Sequence, residues 1–142
     1  MIRQMTKTDI PQVVAIEELC FSMPWSAQGF FDTLERPDTL FLVYTEDAQI
    51  CGYVGLYQSF EEGEITNVAV DPAKRRCGIA RQLLQALDAQ AKARGIAKIF
   101  LEVRVSNQPA IALYEKQGYE RIAMRPGFYS RPREDALVMR KQ

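Results

Sequence analysis

The hydrophobic pattern divides the chain into stretches of helical spacing and stretches of strand spacing. Val13, Ile16 and Cys20 recur three to four residues apart, so about ten residues up to Cys20 read as an amphipathic helix, with Thr8-Asp9 as an N-cap and Pro11 in the first turn. Phe21 to Ser26 breaks this helix, and Ser26 caps a second one running to about Glu35 that is buried through Phe30, Phe31 and Leu34. Ile79, Leu83, Leu84, Leu87 and Ala91 mark one face of a third helix, closed by Arg94 and Gly95. Asn107 caps a fourth, with Pro109 in its first turn and Gly118 just past its end.

Between the helices the pattern is that of strands. Ile2–Met5 is a short one, and Leu40–Thr45, Ile50–Phe60 and Glu64–Val70 form an antiparallel meander joined by turns at 46–49 and 61–63. Lys98–Val105, Tyr119–Met124 and Ala136–Met139 complete the set, with Arg125–Asp135 between the last two as a loop rich in proline, aromatics and charge. The order β α α β β β α β α β β predicts an α/β (α+β) fold: a mixed central sheet of six to seven strands with helices on both faces, as one domain spanning 1–142. The crossover helix after Val70 predicts parallel flanking strands.

Composition narrows the chemistry. Hydrophobic residues at 47% and charged residues at 25% fit a globular domain, and 18 basic residues balance 18 acidic ones, which gives no global argument for nucleic-acid binding. The apolar runs are too short to span a bilayer and the N-terminus lacks a signal-peptide core, so no membrane partner and a cytoplasmic location are expected. Three unclustered cysteines, Cys20, Cys51 and Cys77, argue against a disulfide framework or a metal site. There is no histidine, so acid–base work would fall to Glu, Asp, Tyr, Cys or Lys.

Five places could carry chemistry. The strand Val68-Ala69-Val70 runs through Asp71-Pro72 into Arg75-Arg76-Cys77-Gly78-Ile79-Ala80-Arg81, of the form R-x-x-G-x-A, and then a helix opens. A helix start offers unpaired N–H groups and the positive end of its dipole, so this is either a phosphate grip or a solvated basic turn. Glu102 lies mid-strand in Lys98–Arg104, as a general base or as the partner of Arg104 or another cation. Asn107, Ala110 and Tyr114 share one helix face, as a ligand stripe or as a cap and a buried ring. The acidic groups Glu61-Glu62-Gly63-Glu64 and Glu134-Asp135 could draw in a cation or simply be solvated. Trp25, in Met23-Pro24-Trp25-Ser26, could be a wall of a substrate site or a core anchor.

Taken in register over nearly the whole chain, these segments resemble the GNAT superfamily of acetyl-CoA-dependent N-acetyltransferases, and within it the RimI-type ribosomal-protein-alanine N-acetyltransferases. The carriers are Met23-Pro24-Trp25-Ser26, Asn67-Val68-Ala69-Val70-Asp71-Pro72, the R-x-x-G-x-A segment, Leu101-Glu102-Val103-Arg104-Val105-Ser106-Asn107, Ala110-Ile111-Ala112-Leu113-Tyr114-Glu115, Gly118-Tyr119 and Glu134-Asp135-Ala136. The resemblance implies that the backbone of Val68, Ala69 and Val70 bonds the pantetheine arm of acetyl-CoA. It implies that Arg76, Cys77, Gly78, Ile79, Ala80 and Arg81 cover the pyrophosphate, and that Asn107 contacts the cofactor. Glu102 matches the general base and Tyr114 the general acid. Ala80 stands where glycine is frequent, Met23 where a bulkier apolar residue is common, and the loop 125–133 departs around its aromatic pair. The implied activity is transfer of acetyl to a protein N-terminus, that of a small-subunit ribosomal protein, with acetyl-CoA as cosubstrate and no metal. A monomer or weak oligomer without nucleic acid is expected. A small-molecule amine or lysine acetyltransferase and a non-catalytic acyl-CoA sensor are the alternatives.

Overall fold

In the computed structural model, which describes residues 1–75 and 77–142, a seven-stranded sheet runs through the molecule. The elements are β1 (Ile2–Gln4), α1 (Ile10–Cys20), α2 (Ala27–Leu34), β2 (Thr39–Glu46), β3 (Gln49–Ser59), β4 (Glu62–Val70), α3 (Ile79–Ala93), β5 (Lys98–Arg104), α4 (Gln108–Lys116), β6 (Glu120–Tyr129) and β7 (Glu134–Lys141). The sheet order is β1-β2-β3-β4-β5-β7-β6, antiparallel except for the β4–β5 pair, which is parallel as the α3 crossover requires.

Each face of the sheet carries its own apolar cluster. Leu83, Leu84 and Leu87 of α3 and Ile111 of α4 pack on Leu42, Val54, Leu101 and Met139 on one face. Ile10, Val13 and Ile16 of α1 and Phe30 of α2 pack on Phe41, Val43 and Tyr53 on the other. Burying a large aliphatic of this kind contributes about 1.5–3 kcal/mol. The second cluster needs a glycine: a Cβ on Gly55 would sit 2.1 Å from the Phe41 ring, so only glycine lets that ring lie flat against β3.

Helix ends follow local chemistry. Ser26 Oγ accepts from Gly29 N at 3.1 Å, and Gly95 and Gly118, at φ +80° and +96°, follow the ends of α3 and α4. The entry to α1 differs from expectation. Thr6 and Asp9 form a short 3₁₀ turn, in which Asp9 Oδ2 accepts from Thr6 N at 2.8 Å, and Asp9 makes a two-pronged ion pair with Arg3 at 2.7 and 2.8 Å. Asp9 therefore ties β1 to the helix entry and does not cap α1 with its side chain.

The last hairpin also differs. The expected loop 125–135 is mostly strand, because β6 continues through Arg125-Pro126-Gly127-Phe128-Tyr129 and β7 begins at Glu134. β6 is the sheet edge, where proline needs no ladder N–H, and register shifts between Arg121 and Ala123 and between Arg125 and Tyr129 absorb the irregular sequence.

Candidate functional site

The site begins with a separation of two strands. β4 and β5 pair only at Glu62–Glu64 with Lys98–Phe100; beyond this they part, while β4 stays laddered to β3 as far as Val70. Backbone groups of Ile65–Val70 that face β5 therefore have no strand partner. A bulge marks the parting: Leu56 pairs with Ile65 and Gly55 with Asn67, leaving Thr66 as the extra residue. A one-residue slip moves every following side chain to the other face. Ile65 thus packs with α3 and α4, whereas Asn67 and Ala69 point to the α1 side and Val68 and Val70 to the α3 side.

The wedge between the strands holds a cavity of about 450 Å³. Glu102 from β5, Tyr114 from α4, Asn107 from the N-cap of α4, Val68 from β4, Trp25 and Tyr129 all line it. Four residues singled out in the sequence, Val68, Glu102, Asn107 and Tyr114, are thus brought to one space. Cys77, Gly78, Ile79, Ala80 and Arg81 do not line it; they lie past the end of β4, where α3 begins. Gly78 occupies the N-cap position at φ +74° and, among the described residues, no side chain caps the helix, so its first N–H groups are open to an anion. Lys74, Arg75 and Arg81 surround this turn. The role expected of Arg76 falls outside the described residues.

The side chains have definite environments. Glu102 Oε2 accepts from Arg125 Nη1 at 2.6 Å, so its ionic partner comes from the edge strand β6. Arg104 instead pairs with Glu134 at 3.2 Å and donates to the carbonyls of Ser130 and Pro132 at 3.1 and 2.9 Å. Its guanidinium lies 4.5 Å from the Tyr129 ring centroid. Glu134 also accepts from Ser106 N at 2.7 Å, and Asp135 from Gly127 N at 2.8 Å. These two acids hold the β6–β7 turn over the cavity and are not a loose acidic lure. The Ser106 hydrogen bond and Arg104 keep the Glu134 carboxyl below the usual carboxylate range.

Glu64 sits near Glu102 on the same face; burial and that second carboxylate push its carboxyl up. Tyr114 is 8% exposed, with its ring 5.9 Å from that of Tyr119, and burial raises its phenol well above the ordinary value, so it holds its proton at neutral pH. Burial, reinforced by Glu102, pushes Tyr129 up to about 12. Asn107 does cap α4, its Oδ1 accepting from Ala110 N at 3.3 Å, which leaves its amide N–H groups for another partner. Trp25 is both anchor and wall: its ring packs 5.2 Å from Phe30 and 6.2 Å from Phe41 while lining the cavity. The mouth is rimmed by exposed Phe21, Met23 and Phe128.

Two functional features were not read from the sequence. Arg125 as the partner of Glu102 depends on a hairpin register set by bulges. Glu17, buried beneath the cavity, looks in sequence like any polar residue of an amphipathic helix. Its only signal is that it follows Ile16 and lies four residues after Val13, at the border of the apolar stripe.

Among the described residues, no group of three or more His, Cys, Asp or Glu could hold a metal ion, and no helix is long and apolar enough to cross a membrane. The chain is similar over nearly its full length to proteins of known assignment. It is 36% identical over 142 residues to the ribosomal protein bS18-alanine N-acetyltransferase of Haemophilus ducreyi, covering 98% of this chain and 97% of that protein. It is 34% identical over 137 residues to the enzyme of the same name from Salmonella typhimurium, covering 95% and 92%. The fold superposes on the crystal structure of the ribosomal-protein-S18-alanine N-acetyltransferase from Escherichia coli with a TM-score of 0.92, at 33% identity, covering 99% of this chain and 92% of that one. The acetyltransferase (GNAT) family profile matches residues 10–119. A parted β4–β5 pair, an uncapped helix start past β4 and this match across most of the chain lead to one conclusion: the chain belongs to the GNAT family of acetyltransferases.

Proposed function

We propose that the protein transfers the acetyl group of acetyl-CoA to the N-terminal α-amine of a protein, the N-terminal alanine of a small-subunit ribosomal protein, within a single catalytic domain spanning 1–142 and in the cytoplasm. The observation that carries the reading is the meeting of Glu102 and Tyr114 on one cavity at the β4–β5 wedge. Relatives named for acetylating ribosomal protein bS18 supply the substrate class.

The wedge suits a long phosphorylated thioester. Open backbone groups of β4 would bind the pantetheine arm at Val68, Ala69 and Val70. The N–H groups of Cys77, Gly78, Ile79, Ala80 and Arg81, with Arg76, would cover the pyrophosphate. Asn107 would donate its free amide N–H to the same ligand. Bound there, the acetyl thioester supplies the electrophile.

The chain's own residues do the rest. Glu102 takes a proton from the attacking amine through a water once Arg125, 59% exposed, swings toward solvent. A β4 N–H at Val68–Val70 faces the carbonyl oxygen as it gains charge. Tyr114, kept protonated by burial, delivers its proton to the departing sulfur. General acid–base steps of this kind contribute about 10²–10⁴-fold each, and holding amine and thioester together on the order of 7 kcal/mol or more.

The test is acetyl transfer from acetyl-CoA to short peptides that differ in their first residue, beside an N-terminally blocked lysine peptide and a polyamine. Modification of the free N-terminus, with alanine preferred, is the expected result. Acetylation of the blocked lysine peptide or the polyamine alone would overturn the reading.

A further inference from the structure

Beneath the cavity, on the α1 side of the sheet, a carboxylate is buried. Glu17 of α1 is 2% exposed. It is surrounded by donors from three separate segments. The Tyr53 hydroxyl of β3 donates to Oε1; Asn67 of β4 points its amide nitrogen at the same oxygen, at 3.5 Å; and the backbone N–H of Trp25 donates to Oε2 at 3.0 Å. Burial and the adjacent carboxylate push the Tyr53 phenol up, so it remains a donor. A buried ion is a poor source of stability, because desolvation offsets what its partners return, and an apolar group of similar size often serves a core as well. What Glu17 does supply is geometry, since two of its three donors, Trp25 and Asn67, belong to walls of the cavity, while Tyr53 anchors the carboxylate from the core behind them.

Two consequences follow. The link to Trp25 N fixes the segment between α1 and α2, which carries Phe21, Met23 and Trp25 along the cavity's edge. The carboxylate also dictates the orientation of the Asn67 amide: only the NH₂ end can face an anion, so Oδ1 must turn the other way. That oxygen is buried without a donor among the described residues, as is Thr66 Oγ1 beside it at the bulge. An acceptor atom left this way is completed by donor chemistry, and Asn67 immediately precedes the strand segment assigned above to the thioester.

We propose that Glu17 is a positioning residue for the acceptor amine: it holds the Trp25 wall in place and turns the Asn67 carbonyl oxygen toward an N–H donor supplied by the acceptor. The assignment of this face to the acceptor rests on the reading above. Glutamine at position 17 cannot reproduce the arrangement. Its single carbonyl oxygen either abandons Trp25 N–H or, if it keeps that bond, presents its own NH₂ to Asn67 and makes that amide flip.

The experiment compares wild type, Glu17→Gln, Asn67→Ala and the double variant with whichever amine the wild type acetylates. It reads the KM of each substrate, thermal stability, and the emission of Trp25, the single tryptophan of the chain. In Glu17→Gln the acceptor KM rises about tenfold or more, as a small misplacement of a reacting group can cost on the order of 10²-fold. The acetyl-CoA KM stays within about twofold, the melting temperature does not fall, and Trp25 emission shifts where the glutamine gives up the Trp25 N–H. The effects of Glu17→Gln and Asn67→Ala on the acceptor KM are less than additive. An unchanged acceptor KM, a parallel rise in the acetyl-CoA KM or additive effects would overturn the proposal. If the acceptor proves to be a lysine or a polyamine, the N-terminal reading fails and the same comparison still decides Glu17. If the wild type acetylates no amine, the assignment of this face to an acceptor fails and the proposal with it. An unshifted Trp25 emission together with additive effects of Glu17→Gln and Asn67→Ala would show that neither link was disturbed and overturns it as well.

Discussion

The two faces of the sheet at the β4–β5 wedge are built from different materials. Toward α3 and α4 the groups offered are chiefly backbone, the unladdered edge of Ile65–Val70 and the open start of α3 at Gly78, with the Asn107 amide and the Tyr114 phenol beside them. Toward α1 they are side chains gathered from far apart: Glu17, Glu64, Asn67 and Glu102, and over them Arg125 and Tyr129 of the last hairpin. A backbone site needs little more than a strand end, a small residue and a helix start, and is insensitive to the identity of its neighbours. A side-chain site depends on every residue that orients another. Substitutions at the backbone site and among the side chains should accordingly separate acetyl-CoA binding from catalysis and acceptor use.

The sharpest separation is expected at Glu102 and Tyr114. Glu102→Gln keeps the shape of the cavity and removes the proton acceptor; turnover should fall about 10²–10⁴-fold while acetyl-CoA affinity, measured by calorimetry, changes little. Tyr114→Phe should cut turnover on the order of 10²-fold, because the phenol that burial keeps protonated has no substitute at the departing sulfur. Near-normal turnover in both variants across a range of pH would remove the acid–base assignment and leave positioning as the sole contribution of the cavity.

The contrast between the faces also explains what the sequence made legible. Gly78 with its flanking basic residues, and Ile79, Leu83, Leu84 and Leu87 on one stripe, specify a turn and a helix within about ten residues, and the structure has both. Glu102 stood out because it lies near the middle of a strand whose alternation marks it as part of the sheet. Its partner could not be read the same way. The sequence offered Arg104, two residues along on the same strand face, or another cation; Arg104 is drawn to Glu134 and the turn carbonyls, and the other cation, Arg125, arrives from a hairpin whose register two shifts decide. Glu134 and Asp135 looked like surface acids for a related reason: their donors, Ser106 N and Gly127 N, are backbone groups that only the folded chain brings near. The Thr66 bulge, which turns Asn67 toward Glu17, has no composition signal at all.

A smaller effect probes the backbone side. At φ +74°, Gly78 holds a conformation that a β-branched residue adopts only with strain. Gly78→Val should therefore distort the open helix start and weaken acetyl-CoA binding by about tenfold, in line with a strain of about 1–2 kcal/mol. The acceptor KM and the pH profile should be unaffected. The Cβ itself is not the obstacle, because among the described residues it would meet the flexible side-chain ends of Arg81 at 3.3 Å and Gln82 at 3.9 Å, so Gly78→Asn, which tolerates this region of backbone space, should recover most of the loss. A Gly78→Val protein that binds acetyl-CoA normally would show that the turn adapts and that its shape is not what holds the phosphates.

The smallest effect concerns how the side-chain face is anchored. Asp9 is 5% exposed and locks β1 to the entry of α1, the helix that carries Glu17. Its hydrogen bond with Arg3, aided by those from Thr6, holds the Asp9 carboxyl below the usual range despite the opposing effect of burial. A carboxyl whose folded pKa is depressed stabilises the protein above its unfolded pKa, about 3.9, and that stabilisation is lost as pH falls through the folded value. Arg3 is 40% exposed, so solvent screens the pair and a contribution of about 1 kcal/mol is expected. Asp9→Asn should lower the melting temperature at pH 7 by a few degrees, and the gap from wild type should begin to close as pH drops below about 4 and close fully only below the depressed folded pKa, where the folded wild-type carboxyl is itself neutral. A gap that stayed constant down to about pH 2 would mean that the Thr6 and Asp9 turn acts through its shape and not through charge. The α1 face would then, like the α3 face, owe its anchoring to backbone geometry.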